Sequence, residues 1–463
     1  MDRRTLLRHL LLGLPVGMAL PTLLSSCKDD DFIDGAQFQG KVIIIGAGAS
    51  GIYAAHLLLK YGIDVTVLEA SNKTGGRIQS NNSFVDITLE MGAEEIHGRK
   101  SVLYDLAQYF APSRLNEVTG DDYYWISNQL RTEKFIIEAE ELNGGGATLF
   151  NILESYGSYP GSDMLLSEYL TAFPLDPRLE LIANALTGNE YGSSNDRIGM
   201  LALKEAEAAY SSGLENFNFK TGTYWNLFET AFADAINTVT LNAPVTSIDY
   251  SGNQVLVKTN NGTEYQANRV LVTVPLTMLK NNSIGFVPAL PSNKLQAISK
   301  IDMGIGIKIT LQFSAAFWLD GTSSIVGGLK VPEYWVTSNG KDTGFSYLTA
   351  FLMGPSAEEL ALLSHQQAVQ DIIAELVTMF PSGAVASKFT GAFVYKNWAD
   401  EPFIGGAYSF PSITSTGQRE ILASPVNSKV YFAGEATNYN GHLATVHGAM
   451  ESGFRAVKEI LQA

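Results

Sequence analysis

The chain has 463 residues, of which 46% are hydrophobic and 10% aromatic, and its formal net charge is −16. This length allows two or three domains, and the composition is that of a globular protein rather than a disordered one. The acidic balance argues against nucleic acid or an anionic membrane surface as a partner. Cys27 is the only cysteine, so the sequence offers no internal disulfide or cysteine metal site, and we predict no metal site.

The first 27 residues predict an export signal. Arg3 and Arg4 precede an apolar run, 10–24, which is too short to span a membrane and has the length of a signal-peptide core. The twin arginine is similar to a Tat signal, and the segment 24–27 is similar to a lipobox, whose cysteine is acylated after cleavage. We therefore expect a Tat-like lipoprotein signal over 1–27 and a tether over 28–39. The protein would be exported and lipid-anchored through Cys27 to the bacterial cell envelope, its only predicted contact with a membrane.

The next stretch has the pattern of a dinucleotide-binding βαβ unit. Apolar residues 42–45 predict a buried parallel strand, 52–61 a helix and 64–68 a second strand. Three glycines with the spacing G-x-G-x-x-G follow the first strand: Gly46, Gly48 and Gly51. Such glycines permit a tight turn, close approach of a pyrophosphate and close packing of the helix, whose N-terminus attracts phosphate.

The residues after the second strand identify the expected nucleotide. Glu69 ends that strand, where a carboxylate accepts hydrogen bonds from ribose hydroxyls. Ser50 and Ala70, beside these motifs, are also predicted to bind the cofactor. Gly76 and Arg77 belong to a G-G-R turn similar to that of flavoproteins of the glutathione-reductase type. This similarity implies FAD rather than a nicotinamide cofactor.

The rest of the chain alternates between helical and strand patterns. The predicted elements are a helix over 101–110, a hairpin over 121–135 around Ser127-Asn128, a mainly helical segment over 148–235, a β-meander over 239–275 that returns to the nucleotide-binding sheet, strands over 305–313 and 347–353, a helix or helix pair over 357–380, and a final strand and helix over 430–433 and 446–461.

Near the C-terminus, YFAGEAT at 431–437 and GHLATVHGAMESG at 441–453 closely resemble the FAD-contacting end of the flavin amine oxidase superfamily. That superfamily includes monoamine oxidases, polyamine oxidases, L-amino acid oxidases and lysine-specific histone demethylases. Three further blocks match its motifs, at 91–98, 243–245 and 398–408. The resemblance implies an α/β fold in which a Rossmann-type, glutathione-reductase-like FAD-binding domain carries an inserted α+β substrate-binding domain. We place the first domain at 40–100, 236–285 and 395–463, and the second at 101–235 and 286–394.

The resemblance also implies roles for individual residues. Further cofactor-binding residues are expected at Gly92, Ala93, Val245, Trp398, Gly434, Glu435, Thr445 and Val446. Catalytic roles are expected at Lys308, Tyr408, His97 and Thr445.

Three departures from the family pattern refine these expectations. Ala407 stands where monoamine oxidases carry the cysteine bonded to FAD, so we expect noncovalent FAD. Thr445 replaces the second tyrosine of their aromatic cage and leaves only Tyr408. Glu94 and Glu95 stand where amino-acid oxidases tend to carry an arginine that clamps the substrate carboxylate. These glutamates either favour a cationic substrate or form a solvated pair.

Two of the predicted catalytic residues have alternative interpretations. His97 either faces the amine, as in many polyamine oxidases, or caps a turn in the core. Lys308 lies on the polar face of an alternating strand, where it could simply be solvated. Its segment nevertheless resembles the one in which amine oxidases place a lysine bridged through water to flavin N5.

The resulting prediction is an FAD-dependent oxidase that converts a primary or secondary amine, either a monoamine or a polyamine, to an imine and reduces O2 to H2O2. Two alternatives stay open. The first is an L-amino acid oxidase or another superfamily oxidase or desaturase. The second is a surface lipoprotein that binds FAD without oxidase turnover. The motifs specify neither the amine nor the oligomeric state.

Overall fold

The computed structural model describes residues 33–382 and 384–463. The predicted export signal, with Cys27, and the start of the predicted tether lie outside the described residues. Within the described ranges, no helix is both long and apolar enough to cross a bilayer. The same ranges contain no group of three or more His, Cys, Asp or Glu residues placed to hold a metal ion.

The strands are β1 Lys41–Ile45, β2 Asp64–Leu68, β3 Ser80–Asn81, β4 Leu89–Glu90, β5 Ile96–His97, β6 Leu115–Glu117, β7 Asp121–Ile126, β8 Gln129–Thr132, β9 Asn216–Phe219, β10 Val239–Thr240, β11 Val245–Asp249, β12 Val255–Thr259, β13 Glu264–Ala267, β14 Arg269–Val272, β15 Gly285–Val287, β16 Asp302–Met303, β17 Gly306–Phe313, β18 Thr322–Val326, β19 Glu333–Val336, β20 Ser346–Met353, β21 Phe389–Asn397, β22 Ser409–Phe410 and β23 Val430–Phe432. The α-helices are α1 Ala49–Lys60, α2 Val102–Phe110, α3 Glu133–Glu138, α4 Gly145–Ser155, α5 Leu166–Leu170, α6 Glu180–Ala183, α7 Met200–Ala209, α8 Tyr224–Ala231, α9 Ala233–Ile236, α10 Leu276–Lys280, α11 Ser292–Lys300, α12 Pro355–Leu360, α13 His365–Met379, α14 Val385–Lys388, α15 Gln418–Ala423 and α16 Val446–Gln462.

Five parallel strands form the nucleotide-binding sheet, in the order β10-β2-β1-β14-β23. The connection β1-α1-β2 is the predicted βαβ unit. Residues 42–45 of β1 are all buried, because the sheet is covered on both faces, which explains their continuous apolar character. The predicted α/β fold with a Rossmann-type sheet is therefore confirmed.

The helix of this unit begins three residues earlier than predicted, at Ala49 instead of residue 52. The apolar pattern marks the buried face of the helix, whereas its first turn is set by Gly48, which lies in the N-cap position. α1 packs against the C-terminal helix α16, and a Cβ added at Gly453 would lie 2.8 Å from the carbonyl oxygen of Ser50. Helices α1 and α16 thus meet beside the N-terminus of α1.

Seven strands form the second large sheet, in the order β21-β17-β20-β19-β18-β7-β8. The β7–β8 pair is the predicted hairpin, with Ser127 and Asn128 at φ values of 52° and 58°. On one face of the sheet, Ile309 and Leu311 pack against α13. All eight residues of β17 are buried. The alternative that Lys308 lies on a solvated face is therefore wrong, because the second face of the strand is also covered.

The segment between the sheets follows the predicted pattern with two differences. Residues 148–235 are mainly helical, but β9 interrupts them and pairs with β5 and β6. The middle strands of the predicted meander form a separate four-stranded sheet with β15, in the order β13-β12-β11-β15, whereas the two ends of the meander, β10 and β14, belong to the nucleotide-binding sheet. The predicted pair at 357–380 is present as α12 and α13.

Packing groups some helices differently from the predicted domain segments. Leu103 of α2 and Phe228 of α8 belong to the core around Ile52 of α1. Similarly, Ala297 of α11 packs in the core around Ile43 of β1. These helices lie in segments predicted as the substrate-binding domain, and their apolar residues belong to cores that also contain residues of the nucleotide-binding sheet. The apolar face of a helix shows that it is buried, but not which sheet it covers.

Candidate active site

The glycine-rich turn lies at one end of a cavity of about 350 Å³. Gly46, Gly48 and Ser50 line the cavity. A Cβ added at Gly48 would meet no atom within 4 Å, so the N-terminus of α1 opens onto free space. A Cβ at Gly51 would collide with the carbonyl oxygen of Gly46, so this glycine allows the turn and helix to pack closely. This cradle of open backbone N–H groups suits a pyrophosphate.

Glu69 lines the same end of the cavity, and its carboxylate is held by the protein. One oxygen, Oε2, accepts a hydrogen bond from the backbone N–H of Ala47 at 2.8 Å. The other, Oε1, accepts bonds from the N–H and hydroxyl of Ser71 at 2.9 and 2.8 Å. Each carboxylate oxygen carries further acceptor capacity, so this orientation is compatible with binding ribose hydroxyls.

Three residues predicted to bind the cofactor do not line this cavity: Gly51, Ala70 and Val245. Gly51 acts through packing, as described above. Val245 is buried at the start of β11, in the core beneath the nucleotide-binding sheet. The structure therefore does not bring these three residues to the cavity wall.

A charged network crosses the cavity wall near its middle. The Arg77 guanidinium donates from Nη1 to Glu435 Oε1 at 2.9 Å and to the carbonyl oxygen of Ala407 at 2.7 Å. The Ser409 hydroxyl donates to Glu435 Oε2 at 2.6 Å and accepts from Arg419 Nη1 at 2.7 Å. Burial lowers the pKa of Arg419. Arg77 and Glu435 were predicted from the sequence, whereas Ser409 and Arg419, which help to orient Glu435, were not.

Two predicted cofactor-binding blocks meet opposite this network. Trp398 is buried, and its indole N–H donates to the carbonyl oxygen of Met91 at 3.0 Å. A Cβ added at Gly92 would lie 2.8 Å from the Trp398 ring, so only glycine fits between the ring and the preceding turn. Gly76, Gly92, Ala93, Trp398, Gly434, Thr445 and Val446 all line the cavity.

The predicted catalytic residues come from four separate segments and line the same cavity. The Tyr408 hydroxyl donates to the carbonyl oxygen of Glu190 at 3.0 Å, which fixes its ring. His97 Nδ1 lies 2.9 Å from the side-chain oxygen of Asn216. The Thr445 hydroxyl caps α16 by accepting from the N–H of Gly448 at 3.0 Å. Thr445 therefore positions the start of α16 at the cavity. This capping role could not be inferred from the fact that Thr445 replaces the second tyrosine of the aromatic cage.

Lys308 and Glu94 form an ion pair inside the cavity wall. Lys308 Nζ donates to Glu94 Oε2 at 2.7 Å and to the carbonyl oxygens of Glu90 and Gly92 at 2.9 and 3.1 Å. The ammonium also lies 5.0 Å from the ring centre of Trp335. The side chain of Glu94 is only 9% exposed. Two interpretations of Glu94 were drawn from the sequence: a solvated glutamate and a carboxylate that favours a cationic substrate. Both need correction, because Glu94 is buried and its carboxylate is already paired with Lys308.

Beneath this pair lies a second buried carboxyl group, Glu90. Its Oε1 accepts a hydrogen bond from the backbone N–H of Tyr224 at 2.6 Å. Within the part of the chain that the structure describes, its Oε2 has no hydrogen-bond partner. Burial, reinforced by the nearby Glu94 carboxylate, raises the pKa of Glu90 to about 7. Glu90 is therefore a carboxyl group that the protein holds partly protonated near neutral pH.

The second large sheet lines the end of the cavity beyond Tyr408, which we call the chamber. Glu333 and Trp335 alternate along β19 and share a face, with Phe351 beside them on β20. Glu95 and Glu190 line the same chamber. Three carboxylates in one pocket favour a cationic ligand. Sequence reasoning missed Glu333, because nothing in a short strand indicates which sheet edge or cavity it faces.

Comparisons with known proteins agree with this geometry. The sequence profile described as flavin containing amine oxidoreductase matches residues 49–461. Human lysine-specific histone demethylase 2 is 30% identical over 484 aligned residues, which cover 96% of this chain but only 56% of that protein. Rice polyamine oxidase 4 is 28% identical, with 96% of this chain and 91% of that protein covered.

Solved structures show the same fold at lower identity. A variant of putrescine oxidase superposes with a TM-score of 0.79 at 21% identity, covering 91% of this chain and 99% of that one. Cyclohexylamine oxidase from Brevibacterium oxydans superposes with a TM-score of 0.77 at 19% identity, again covering 91% and 99%. The profile match spans most of the chain, and the dinucleotide cradle and flavin-side residues line one cavity. The chain therefore belongs to the flavin containing amine oxidoreductases, and FAD is its cofactor.

Proposed function

We propose that this protein oxidises a primary or secondary amine, either a monoamine or a polyamine, to the corresponding imine. The observation that carries the proposal is a single cavity that joins the dinucleotide cradle to a chamber containing Tyr408, His97 and Lys308. Bound FAD would supply the redox chemistry, taking a hydride from the α-carbon of the neutral amine and passing two electrons to O2 to give H2O2. Water then hydrolyses the released imine to a carbonyl compound and an amine or ammonia.

The chain's own residues would bind and orient the amine. The Tyr408 ring, held through its hydroxyl by Glu190, forms one wall of the slot beside the expected flavin. Thr445 stands in place of the second tyrosine of a two-ring cage, so the slot would be wider than such a cage or shaped by another aromatic side chain. Walls built from Trp398, Phe351 and Trp335 limit access of water to the reacting atoms.

The charges of the chamber favour amines over amino acids. Glu95, Glu190 and Glu333 line the chamber, and the Lys308 ammonium is already paired with Glu94. A substrate carboxylate would therefore meet carboxylates and no uncommitted cation among these residues, at an unfavourable desolvation cost. We propose that substrates lacking an α-carboxylate are preferred.

Anaerobic flavin reduction tests this function. Purified holoprotein is mixed with benzylamine, putrescine, spermidine, L-phenylalanine and L-lysine, and bleaching of the flavin absorbance is followed. Peroxide is then measured after air is admitted. We expect bleaching by at least one amine, and a higher kcat/KM for benzylamine than for L-phenylalanine. Preference for the amino acid of a matched pair would support the amino-acid oxidase alternative, and a flavin that no compound bleaches would support binding without turnover.

We also propose that the protein is exported and lipid-anchored at the bacterial cell envelope. Arg3-Arg4, the apolar run and the lipobox-like segment ending at Cys27 support this proposal. Replacing Cys27 by Ser should release the protein from membranes, and replacing Arg3 and Arg4 by Lys should retain FAD-loaded protein in the cytoplasm. Cell fractionation with immunoblotting measures both outcomes. Native protein that is soluble in the cytoplasm with residue 1 intact would contradict the proposal.

A further inference from the structure

A short π-helical turn, Asn184–Asn189, ends beside the cavity. Such wide turns are rare in proteins and occur frequently at functional sites. Asn195 helps to close this one, because its side-chain oxygen accepts from the backbone N–H of Gly188 at 3.0 Å. The two residues that follow the turn, Glu190 and Tyr191, line the cavity. The turn therefore leads directly into part of the cavity wall.

The ring of Tyr408 packs against this segment. Its hydroxyl donates to the carbonyl oxygen of Glu190 at 3.0 Å. A Cβ added at Gly192 would lie 2.6 Å from Cε2 of the ring, so the backbone at this position lies directly against the ring. The backbone of Tyr408 is held separately, since its carbonyl oxygen accepts from the N–H of Gly304 at 2.8 Å. The position of the ring therefore depends on where the segment 190–192 lies.

Asn189 joins this segment to the second large sheet. It is fully buried, and its Oδ1 accepts from the backbone N–H of Met353 at 2.8 Å. Its carbonyl oxygen accepts from the N–H of Gly192 at 3.0 Å. Met353 ends β20, which pairs with β17, the strand that carries Lys308. Asn189 therefore fixes the segment behind Tyr408 relative to the strands beside Lys308.

We infer that Asn189 is a positioning residue that holds the Tyr408 ring in the place where it orients the amine. The inference rests on the proposed amine oxidation. Hydride transfer requires the α-carbon of the amine to lie at a defined distance from the hydride acceptor, and a displacement of about 1 Å can slow a reaction about 10²-fold. Because Tyr408 forms one wall of the amine slot, a shift of its ring changes the orientation of the bound amine.

A purely structural role for Asn189 has a different consequence. The side chain accepts a buried backbone N–H, and loss of that acceptor destabilises the fold whether or not an amine is bound. That effect does not depend on Tyr408. A positioning role acts through the Tyr408 ring, so it disappears when the ring is removed.

A double-mutant cycle separates the two roles. Asn189→Leu keeps the approximate size of the side chain and removes the acceptor, and it is combined with Tyr408→Ala, which removes the ring. Thr259→Val is the matched control, because Thr259 is 2% exposed and its hydroxyl donates to Asn261 and Thr263 at the turn between β12 and β13. Anaerobic stopped-flow mixing measures the limiting rate of flavin reduction with the amine from the panel above that reduces the wild-type flavin fastest. Thermal unfolding measures the stability of the same proteins.

We expect Asn189→Leu to slow flavin reduction at least about tenfold when Tyr408 is present, and to change the rate by less than about twofold in the Tyr408→Ala background. Its effect on thermal unfolding should be the same in both backgrounds. The Thr259→Val control should reduce its flavin at the wild-type rate. A wild-type rate in Asn189→Leu, or an equal slowing in both backgrounds, would overturn the positioning role.

A second variant tests the same contact without altering Asn189. Tyr408→Phe keeps the ring and removes only the hydrogen bond to the carbonyl oxygen of Glu190. We expect this variant to reduce its flavin about threefold to tenfold more slowly than wild type, as loss of one hydrogen bond predicts. A wild-type rate would show that the segment 190–192 does not constrain the ring, and would overturn the inference.

A third measurement does not depend on turnover. The chain has 20 tyrosines, so 3-fluorotyrosine is placed at position 408 alone by stop-codon suppression, and its ¹⁹F resonance is recorded in the holoprotein. We expect one narrow resonance that is shifted or broadened by Asn189→Leu and unchanged by Thr259→Val. A resonance that Asn189→Leu leaves unchanged would overturn the inference. If no amine reduces the wild-type flavin, the proposed function fails, while this resonance still tests whether Asn189 positions the ring.

Discussion

Lys308 and Glu94 form an ion pair that is almost completely removed from water, with 2.7 Å between Nζ and Oε2 and side chains 5% and 9% exposed. The residues are 214 positions apart in the sequence and join the second large sheet to the segment after β4. Removing one partner of a buried pair leaves an uncompensated charge, at a cost of about 3–5 kcal/mol. Any substitution of Lys308 therefore changes both the charge at the cavity and the environment of Glu94.

We predict that Glu69→Ala weakens FAD binding at least about tenfold, because hydrogen bonds to a charged group contribute about 1.5–3 kcal/mol. The same carboxylate accepts the N–H of Ala47, so part of the loss would arise from a less ordered turn. Fluorescence titration of the apoprotein with FAD measures the affinity. Ser71→Ala is the matched control, since it removes one contact to Glu69 but keeps the carboxylate. Unchanged FAD affinity in Glu69→Ala would refute the dinucleotide role of this residue.

The nucleotide-binding half of the fold was predictable because its signals are local. The strand, glycine turn, helix and second strand of the βαβ unit are contiguous, and each step of that pattern has one structural meaning. The family resemblance added the C-terminal segment, from which Glu435, Thr445 and Val446 all line the cavity. The start of α1 was misplaced because apolar periodicity reports the buried face of a helix and not its first turn.

The contacts around Lys308 could not be predicted, because they depend on distant segments. Alternation along β17 resembles a half-buried strand, whereas the segment containing Glu90 and Glu94 covers its polar face at Lys308. Similarly, Glu333 belongs to a four-residue strand whose place in the sheet order is set by pairing with β18 and β20. Neither hydropathy nor spacing encodes such pairing. Tertiary packing, not local pattern, decides these positions.

Glu90 gives the protein a pH-dependent loss of stability that a substitution should remove. Its pKa is raised from 4.5 to about 7, so the folded state binds the proton more tightly than the unfolded state. Stability therefore falls as pH rises from about 4.5 to about 7 and stays lower above that range. Glu90→Gln keeps an acceptor for the N–H of Tyr224 and cannot ionise.

We predict that Glu90→Gln is more stable than wild type by up to about 3 kcal/mol at pH 8, and that the difference shrinks towards pH 5. Urea unfolding of the FAD-saturated proteins at the two pH values measures this difference. Glu358→Gln is a useful comparison, because the Arg197 ion pair lowers the pKa of that carboxyl and the sign should reverse. A Glu90→Gln variant that is less stable at pH 8, or changed equally at both pH values, would contradict the prediction.

Glu333 should select amines that carry a second positive charge. Lys308, Phe351 and Glu333 are register partners on three adjacent strands, so their side chains share the cavity face of the sheet. Two strand spacings place Glu333 roughly 10 Å from Lys308 along the sheet. Glu333 and Tyr408 line the same cavity, so we expect this carboxylate to bind the far ammonium group of a diamine whose other nitrogen is oxidised there.

We predict that Glu333→Gln lowers kcat/KM for putrescine about tenfold or more, as expected for loss of a charged hydrogen bond, while butylamine changes little. The two amines have the same chain length, so their ratio isolates the second charge. Steady-state peroxide release measures both values on the same preparation. Equal losses for the two amines would show that Glu333 supports the shape of the chamber instead of recognising charge.

The last prediction concerns the role of Lys308 in flavin reoxidation. A fixed positive charge beside the flavin would stabilise the negative charge that develops as O2 is reduced, and it would do so without moving. Lys308→Met keeps the length of the side chain and removes the charge. We predict that this variant keeps FAD but reoxidises its flavin about 10²–10³-fold more slowly, the loss expected for one preorganised electrostatic contact.

Lys308→Met removes the ion-pair partner of the buried Glu94 carboxylate. The single variant therefore changes both the rate of flavin reoxidation and the stability of the protein. The double variant Lys308→Met/Glu94→Gln removes both charges and should recover stability while remaining slow to reoxidise. Glu94→Gln alone keeps the ammonium and should reoxidise within about tenfold of wild type, since the cation that faces the developing charge remains in place. Stopped-flow mixing of the reduced proteins with O2, together with thermal unfolding, separates the two effects. If the double variant reoxidises at the wild-type rate, Lys308 serves only to neutralise Glu94, and its contribution is structural.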